Sequence, residues 1–140
     1  MTTASTMIQS QNEIIEILEA AGLIDGEKAT TQQLRTNILF WDSVLKTKTS
    51  SDTQAYVVWS LVSTDKKSNA DDKAYERDAL ATIDIFTRRR PATTTIQNLI
   101  SAIETQALDK DWSFEFDGPI EYEMATAIYH ISFKLNKIFK

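Results

Sequence analysis

His130 is the single histidine of this chain, and the search for acid–base or metal chemistry starts and narrows there. There is no second histidine at metal-ligand spacing and no cysteine to complete a set. Thiolate sites, disulfides and cysteine nucleophiles therefore fall away together. His130 alternates with apolar residues, a setting in which a hydrogen-bonded structural histidine is the ordinary reading and a general base the exceptional one. Carboxylates stand in close pairs at Asp71/Asp72, Asp109/Asp111 and Glu121/Glu123, spacings that would suit an acid dyad or divalent-ion ligands. Each pair sits in or beside a loop, where a solvated charged turn is the usual explanation. Gly22, Gly26 and Gly118 are the only glycines and cannot build a phosphate loop. Trp41, Trp59 and Trp112 lie on three separate apolar runs and read as packing residues before a ligand platform. No nucleophile, base and anion hole come together, so the expectation is a protein that is not an enzyme and holds no cofactor or metal.

Bulk properties point the same way. The chain has 140 residues, 42% hydrophobic and 25% charged, close to ordinary globular usage, which suits one domain over 1–140 with its own core. A formal charge of -5 argues against wrapping a phosphate backbone over a large area. One basic cluster stands out, Arg88, Arg89 and Arg90, and on charge alone it reads as a solvated turn ahead of a phosphate or partner contact. No apolar run approaches the roughly 18 residues of a membrane span, and the polar opening MTTASTMIQSQNE is not a signal peptide. The expectation is a soluble protein that is not exported by the general route, with about six flexible residues at its start.

The elements that must position these residues are organised around Ala70 to Arg90. There Ala79, Ala81, Ile83 and Ile85 alternate with Leu80, Thr82, Asp84 and Phe86, the pattern of a long strand with one face on a core and the other partly wet. Pro91, which lacks an amide hydrogen, closes it. Upstream, Ile14, Ile17, Leu18 and Ala21, widened by Ile8 and Ile15, predict a helix from about Met7 to Ala21, with Glu13, Glu16 and Glu19 largely on other faces and Gly22 as its stop. Asn37 to Val44 predicts a short strand, Thr47 to Thr53 a polar loop and Tyr56 to Val62 a stronger strand. Ser63 to Lys73 is hydrophilic and predicts a mobile hairpin extension leading to the strand at Tyr75. After Pro91, a threonine from 93 to 95 caps a helix that buries Ile96, Leu99, Ile100, Ile103 and Ala107. Trp112, Phe114 and Phe116 alternate in a further strand, Asp117 to Pro119 form a turn, and a last strand sets Tyr129, Ile131, Phe133 and Leu135 opposite Ile128, His130, Ser132 and Lys134. The order α-β-β-β-α-β-β predicts an α+β fold, an antiparallel or mixed sheet of about four to five strands with helices packed on one face.

Tyr56-Val57-Val58-Trp59, the Ala70-Asp71-Asp72 loop exit, Thr82-Ile83-Asp84-Ile85-Phe86-Thr87, the amphipathic helix from Ile96 to Leu108, and Ile128-Tyr129-His130 followed by Phe133 form an ordered series. Over Tyr56 to Phe139 this series resembles the tail completion and tail terminator proteins of long-tailed bacteriophages. Asp109-Lys110-Asp111 stands where that family often has a glycine turn. The resemblance implies a structural virion protein that stops tail-tube growth, sits at the head-proximal end of the tail as a homo-oligomeric ring, commonly a hexamer, and joins the tail to the head connector. It implies as partners a second copy of the chain, the tail tube protein and the connector proteins, with genome DNA passing the lumen unbound, and assembly in the host cytoplasm. It directs attention to Asp71, Asp72, Asp84, Arg88, Arg89 and Arg90 as subunit or tail-tube contacts. The alternative is a small acidic secretion-type chaperone that binds an unfolded partner segment through apolar grooves, which leaves the ordered series unexplained.

Overall fold

A computed structural model describes residues 2–42, 55–70 and 73–139, with the side chains of 35–36, 65–70 and 73–75 left out of the description. The chain runs α1 (Thr3–Ala20), β1 (Ile24–Asp25), α2 (Thr31–Thr36), β2 (Leu39–Asp42), β3 (Ala55–Ala70), β4 (Lys73–Thr87), α3 (Thr94–Asp109), β5 (Ser113–Phe116), β6 (Glu121–Glu123) and β7 (Ile128–Phe139). This is an α+β fold with a mixed sheet in the order β1-β2-β3-β4-β7-β5, with β6 also pairing with β7. β1 with β2 and β2 with β3 are parallel, and the remaining pairs are antiparallel.

The first helix begins earlier than its isoleucine spacing indicates. The Thr2 hydroxyl accepts the Ser5 amide at 3.0 Å while the Ser5 hydroxyl accepts the Thr2 amide at 3.1 Å, a reciprocal cap that satisfies two otherwise orphan donors and starts α1 at Thr3. Gly22 ends the helix in the left-handed region at φ 97°, with Gly22 and Leu23 amides returning to the carbonyls of Glu19 and Leu18. Asp111, at φ 64°, makes the same stop after α3 without a glycine. Ile14, Ile17 and Leu18 are fully buried, but Ile8 is 60% exposed and does not belong to the buried face.

On β4 the alternation resolves as the sequence indicates. Ala79, Ala81, Ile83 and Ile85 are fully buried in one core with Val57, Trp59, Ile131, Phe133 and Leu135 of the neighbouring strands, under α1 and α3. α1 packs on β3, β4 and α3, so these two helices share one face of the sheet. Burying an isoleucine contributes about 2 kcal/mol by transfer from water, before chain entropy is subtracted.

The sheet has seven strands among the described residues where about four to five are expected, and the differences from the expected order have physical causes. The expected connector Ser63 to Lys73 is largely ladder, because β3 continues to Ala70 and β4 resumes at Lys73, paired through to Ala70↔Lys73. Its polar residues carry no strand periodicity, and backbone pairing across the hairpin supplies the order instead. β1, α2 and β6 span 2, 6 and 3 residues, too short for any periodic signal. The parallel placement of β1 and β2 rests on the intervening α2, capped by Thr30 and Gln33 in the same reciprocal manner as α1. The expected loop at Thr47 to Thr53 lies outside the described residues.

Candidate functional site

The face of the sheet turned away from α1 and α3 carries the other half of each alternation. The register sets Tyr56 of β3, Phe86 of β4 and His130 of β7 side by side, and Glu121 of β6 pairs with His130 at the end of the row. The three rings stack, Tyr56 on Phe86 at 4.9 Å between centroids and Phe86 on His130 at 4.5 Å with planes only 4° apart. Contacts between in-register aromatics across strands are among the stronger side-chain terms of a sheet.

Asp84, one step along β4 from this row, reaches His130 diagonally. Its Oδ1 accepts from His130 Nε2 at 2.8 Å, and because a carboxylate only accepts, the proton of that bond is on Nε2. His130 Nδ1 is left 3.9 Å from Glu121 Oε2, beyond hydrogen-bond distance. Glu123 lies on the same strand as Glu121. Burial raises the Tyr56 hydroxyl above its ordinary value, and the negative charge of Glu123 adds to the shift. Asp84 and, at longer range, Glu121 are thus the carboxylates at the imidazole. Phe86, Glu121, Tyr122, Glu123, Ile128 and His130 line a cavity of about 300 Å³ there. Beside it Tyr122 contacts Tyr129, and Ile120, Tyr122 and Met124 remain exposed, Met124 at 86%.

Arg88, Arg89 and Arg90 form the exposed turn between β4 and α3, at the same end of the sheet. Arg89 is anchored, its amide donating to the Thr87 hydroxyl and its guanidinium to the Thr95 hydroxyl, each at 3.0 Å. The expected threonine cap on α3 is Thr93 by backbone position, but its side chain makes no capping bond. Asp84 and the arginine turn are therefore close in sequence but differently used, one tied to His130 and the other leading toward the helices. Asp71 and Asp72 lie outside the described residues. Asp109 and Asp111 flank the end of α3, away from His130 in the chain order and on no common strand with it. Among the described residues no group of three or more histidine, cysteine or carboxylate side chains could hold a metal ion, and no helix is long and apolar enough to cross a membrane.

A second polar cluster escaped the sequence reading. Glu13, on the expected solvent side of α1, accepts from Trp112 Nε1 at 3.1 Å and from Lys137 Nζ at 2.6 Å, and Lys137 also lies 4.8 Å from the centre of the Phe139 ring. Burial pushes the Glu13 carboxyl up, but the hydrogen bonds from Lys137, Trp112 and Gln9 outweigh it and hold the group below its ordinary 4.5. This cluster pins α1 to β7 and to the turn after α3. The cleft beside it, about 600 Å³, is lined mostly by polar residues such as Gln9, Asn12, Glu16 and Lys110. Its only sequence signal was Trp112, whose indole needs a partner when buried.

Comparison with models of known protein families gives no match, and no curated protein is similar in sequence.

Proposed function

We propose that this chain is a structural assembly protein that closes a bacteriophage tail tube as a ring and joins it to the head connector. The observation that carries the reading is where the resembling residues fall. Tyr56 to Trp59, Thr82 to Thr87 and Ile128 to Phe133 occupy β3, β4 and β7, three adjacent strands, and one face of those strands is not covered by α1 or α3. A module whose function is contact with other chains needs such a surface, whereas an enzyme needs convergent reactive groups. Among the described residues His130 has Asp84 and a distant Glu121 as its polar contacts and no nucleophile beside it. The overall negative charge suits a ring through which DNA passes, since like charges do not hold the phosphate backbone. The ring contacts a second copy of itself, the tail tube and the connector, and a hexamer matches the resemblance.

The chaperone reading requires an apolar groove for an unfolded segment. The cleft beside α1 mixes polar and apolar surface, and the groove that reading would use is a smaller one of about 380 Å³ between the end of α1 and α3, lined by Leu23, Ile38, Leu99 and Ala102 among others. Native mass spectrometry of the protein, alone and with purified tail tubes, tests the proposal. A ring of defined stoichiometry on the tubes is expected; a monomer under both conditions overturns it, and a stable dimer that ignores tubes favours the chaperone.

A further inference from the structure

We propose that His130 is a proton-operated latch for the β6 edge strand: the doubly protonated imidazole holds Glu121, and through it β6, against β7, and the neutral imidazole lets go. The latch does not depend on the assembly reading above, since every group in it belongs to one chain.

The two ring nitrogens are in different states. Nε2 carries a proton and donates it to Asp84 Oδ1 at 2.8 Å, which leaves Nδ1 of a neutral ring with a lone pair and no proton. Glu121 Oε2 stands 3.9 Å from Nδ1. Two acceptors cannot bond to each other, and the spacing is just past hydrogen-bond range. A second proton on the ring makes Nδ1 a charged donor, and the carboxylate then gains a charge-assisted bond by closing about 1 Å. The ring is held for this, stacked on Phe86 at 4.5 Å between centroids and tied to Asp84. The Glu121 side chain, 70% exposed, has room to make the step.

β6 is an element that one added contact can tip. It has 3 residues, and β7 is its one strand neighbour among the described residues. It joins β7 through a turn in which Ala127 takes φ 57°, a conformation unfavourable for a residue with a Cβ. Ile120, Tyr122 and Met124, exposed on and beside it, move with it. The other ionisable groups around the ring keep their charge while the imidazole gains one. Glu123 lines the same cavity, and Tyr56 lies behind Phe86 on β3. Lys134 is two same-face positions further along β7, opposite Glu115, and Arg88, which has an interaction within the chain, follows two residues after Phe86. Between about pH 7.5 and 5.5, carboxylates, phenols, ammonium and guanidinium groups ordinarily hold one state, and imidazole is the side chain that changes. Glu13, held below its ordinary 4.5, stays ionised across that window.

Hydrogen exchange followed by NMR on the whole chain tests the latch. From about pH 7.5 to 5.5, corrected for intrinsic exchange rates, the protection of the β6 amides relative to those of Ala81 to Ile85 should rise about threefold to fivefold, the effect of one partly exposed ion pair. Ring nitrogen chemical shifts should place the proton of neutral His130 on Nε2. Glu121→Gln, whose amide donates to the Nδ1 lone pair without waiting for a proton, should keep β6 protected at both pH values. His130→Phe, which keeps a ring against Phe86 but has no nitrogen, should leave β6 weakly protected at both. The latch is overturned if β6 protection in the wild type ignores pH, if the pH response survives in either variant, or if the neutral ring carries its proton on Nδ1. Should a variant not fold, the wild-type profile and the ring shifts decide alone.

Discussion

The two faces of β4 differ by one residue step and by almost everything else. On the helix side, Ala79, Ala81, Ile83 and Ile85 are sealed in the core, and the ionic contact at its margin, Glu13 with Lys137 and Trp112, is saturated by hydrogen bonds. On the other side, Asp84 and Phe86 meet His130 in an arrangement that still has an exposed carboxylate edge and an open cavity. Satisfied groups under helices contribute stability; groups with unused bonding capacity on an accessible face are suited to recognition. The same strand supplies both because its side chains alternate, and a register slip of one residue would exchange them.

The most severe way to break the contrast is to put a charge on the wrong side. Ile83→Asp should cost more than about 4 kcal/mol and leave the protein unfolded, because the carboxylate has no partner among the core side chains. Thr82→Asp, one residue away on the partly accessible face, should cost less than about 1 kcal/mol. Denaturant titration of the two variants checks this, and equal losses would mean the faces are not distinct.

Next comes the Glu13 cluster. Glu13→Ala leaves the Lys137 ammonium and the Trp112 indole without their acceptor, and should destabilise by about 2 kcal/mol, below the cost of a fully buried pair because the Glu13 and Lys137 side chains are 13% and 16% exposed. The pH dependence has a definite sign. The folded-state carboxyl lies below its ordinary 4.5, so its contribution is present above that value and is lost as pH falls through the folded value. Thermal melts from neutral pH downward should show Glu13→Gln flatter than the wild type across that window.

On the open face, Phe86→Ala removes the middle ring of the Tyr56–Phe86–His130 stack and should cost about 1 kcal/mol, with a larger proportional effect on assembly than on folding. The smallest stability effect belongs to the arginine turn. Changing Arg88, Arg89 and Arg90 together to glutamine should move stability by about 0.5 kcal/mol or less while lowering tail joining in a reconstitution assay. Normal joining by that variant would reduce the cluster to a solvated turn.

Legibility in the sequence followed the length of the pattern. α3 and the inner half of β4 repeat an apolar period over enough residues to identify the element and its buried face, and Ile96, Leu99, Ile103 and Ala107 are the buried positions. β6 was hidden because its turn into β7 has none of the usual turn residues; Ala127 adopts φ 57° there, a conformation an alanine sequence does not advertise. The outer part of the β3–β4 hairpin was hidden because its polar sequence resembles a loop, and pairing with the opposite strand decides its state. Glu13 was misread because a helical wheel places it off the apolar stripe and cannot see Trp112 and Lys137 arriving from 99 and 124 residues away.

By itself the sequence determined the α+β class, the major helices and strands, and which side of β4 and β7 is apolar, because these follow from local periods of about 3.6 and 2 residues. Tertiary structure decided which strands are neighbours and in what register. That Phe86 stands beside His130, that Asp84 reaches it from 46 residues away, and that Glu121 closes the row depend on the order β3-β4-β7 and on β6 folding back. Facing is a property of each strand, but adjacency is settled only when the whole core packs, and the candidate site is made of adjacency.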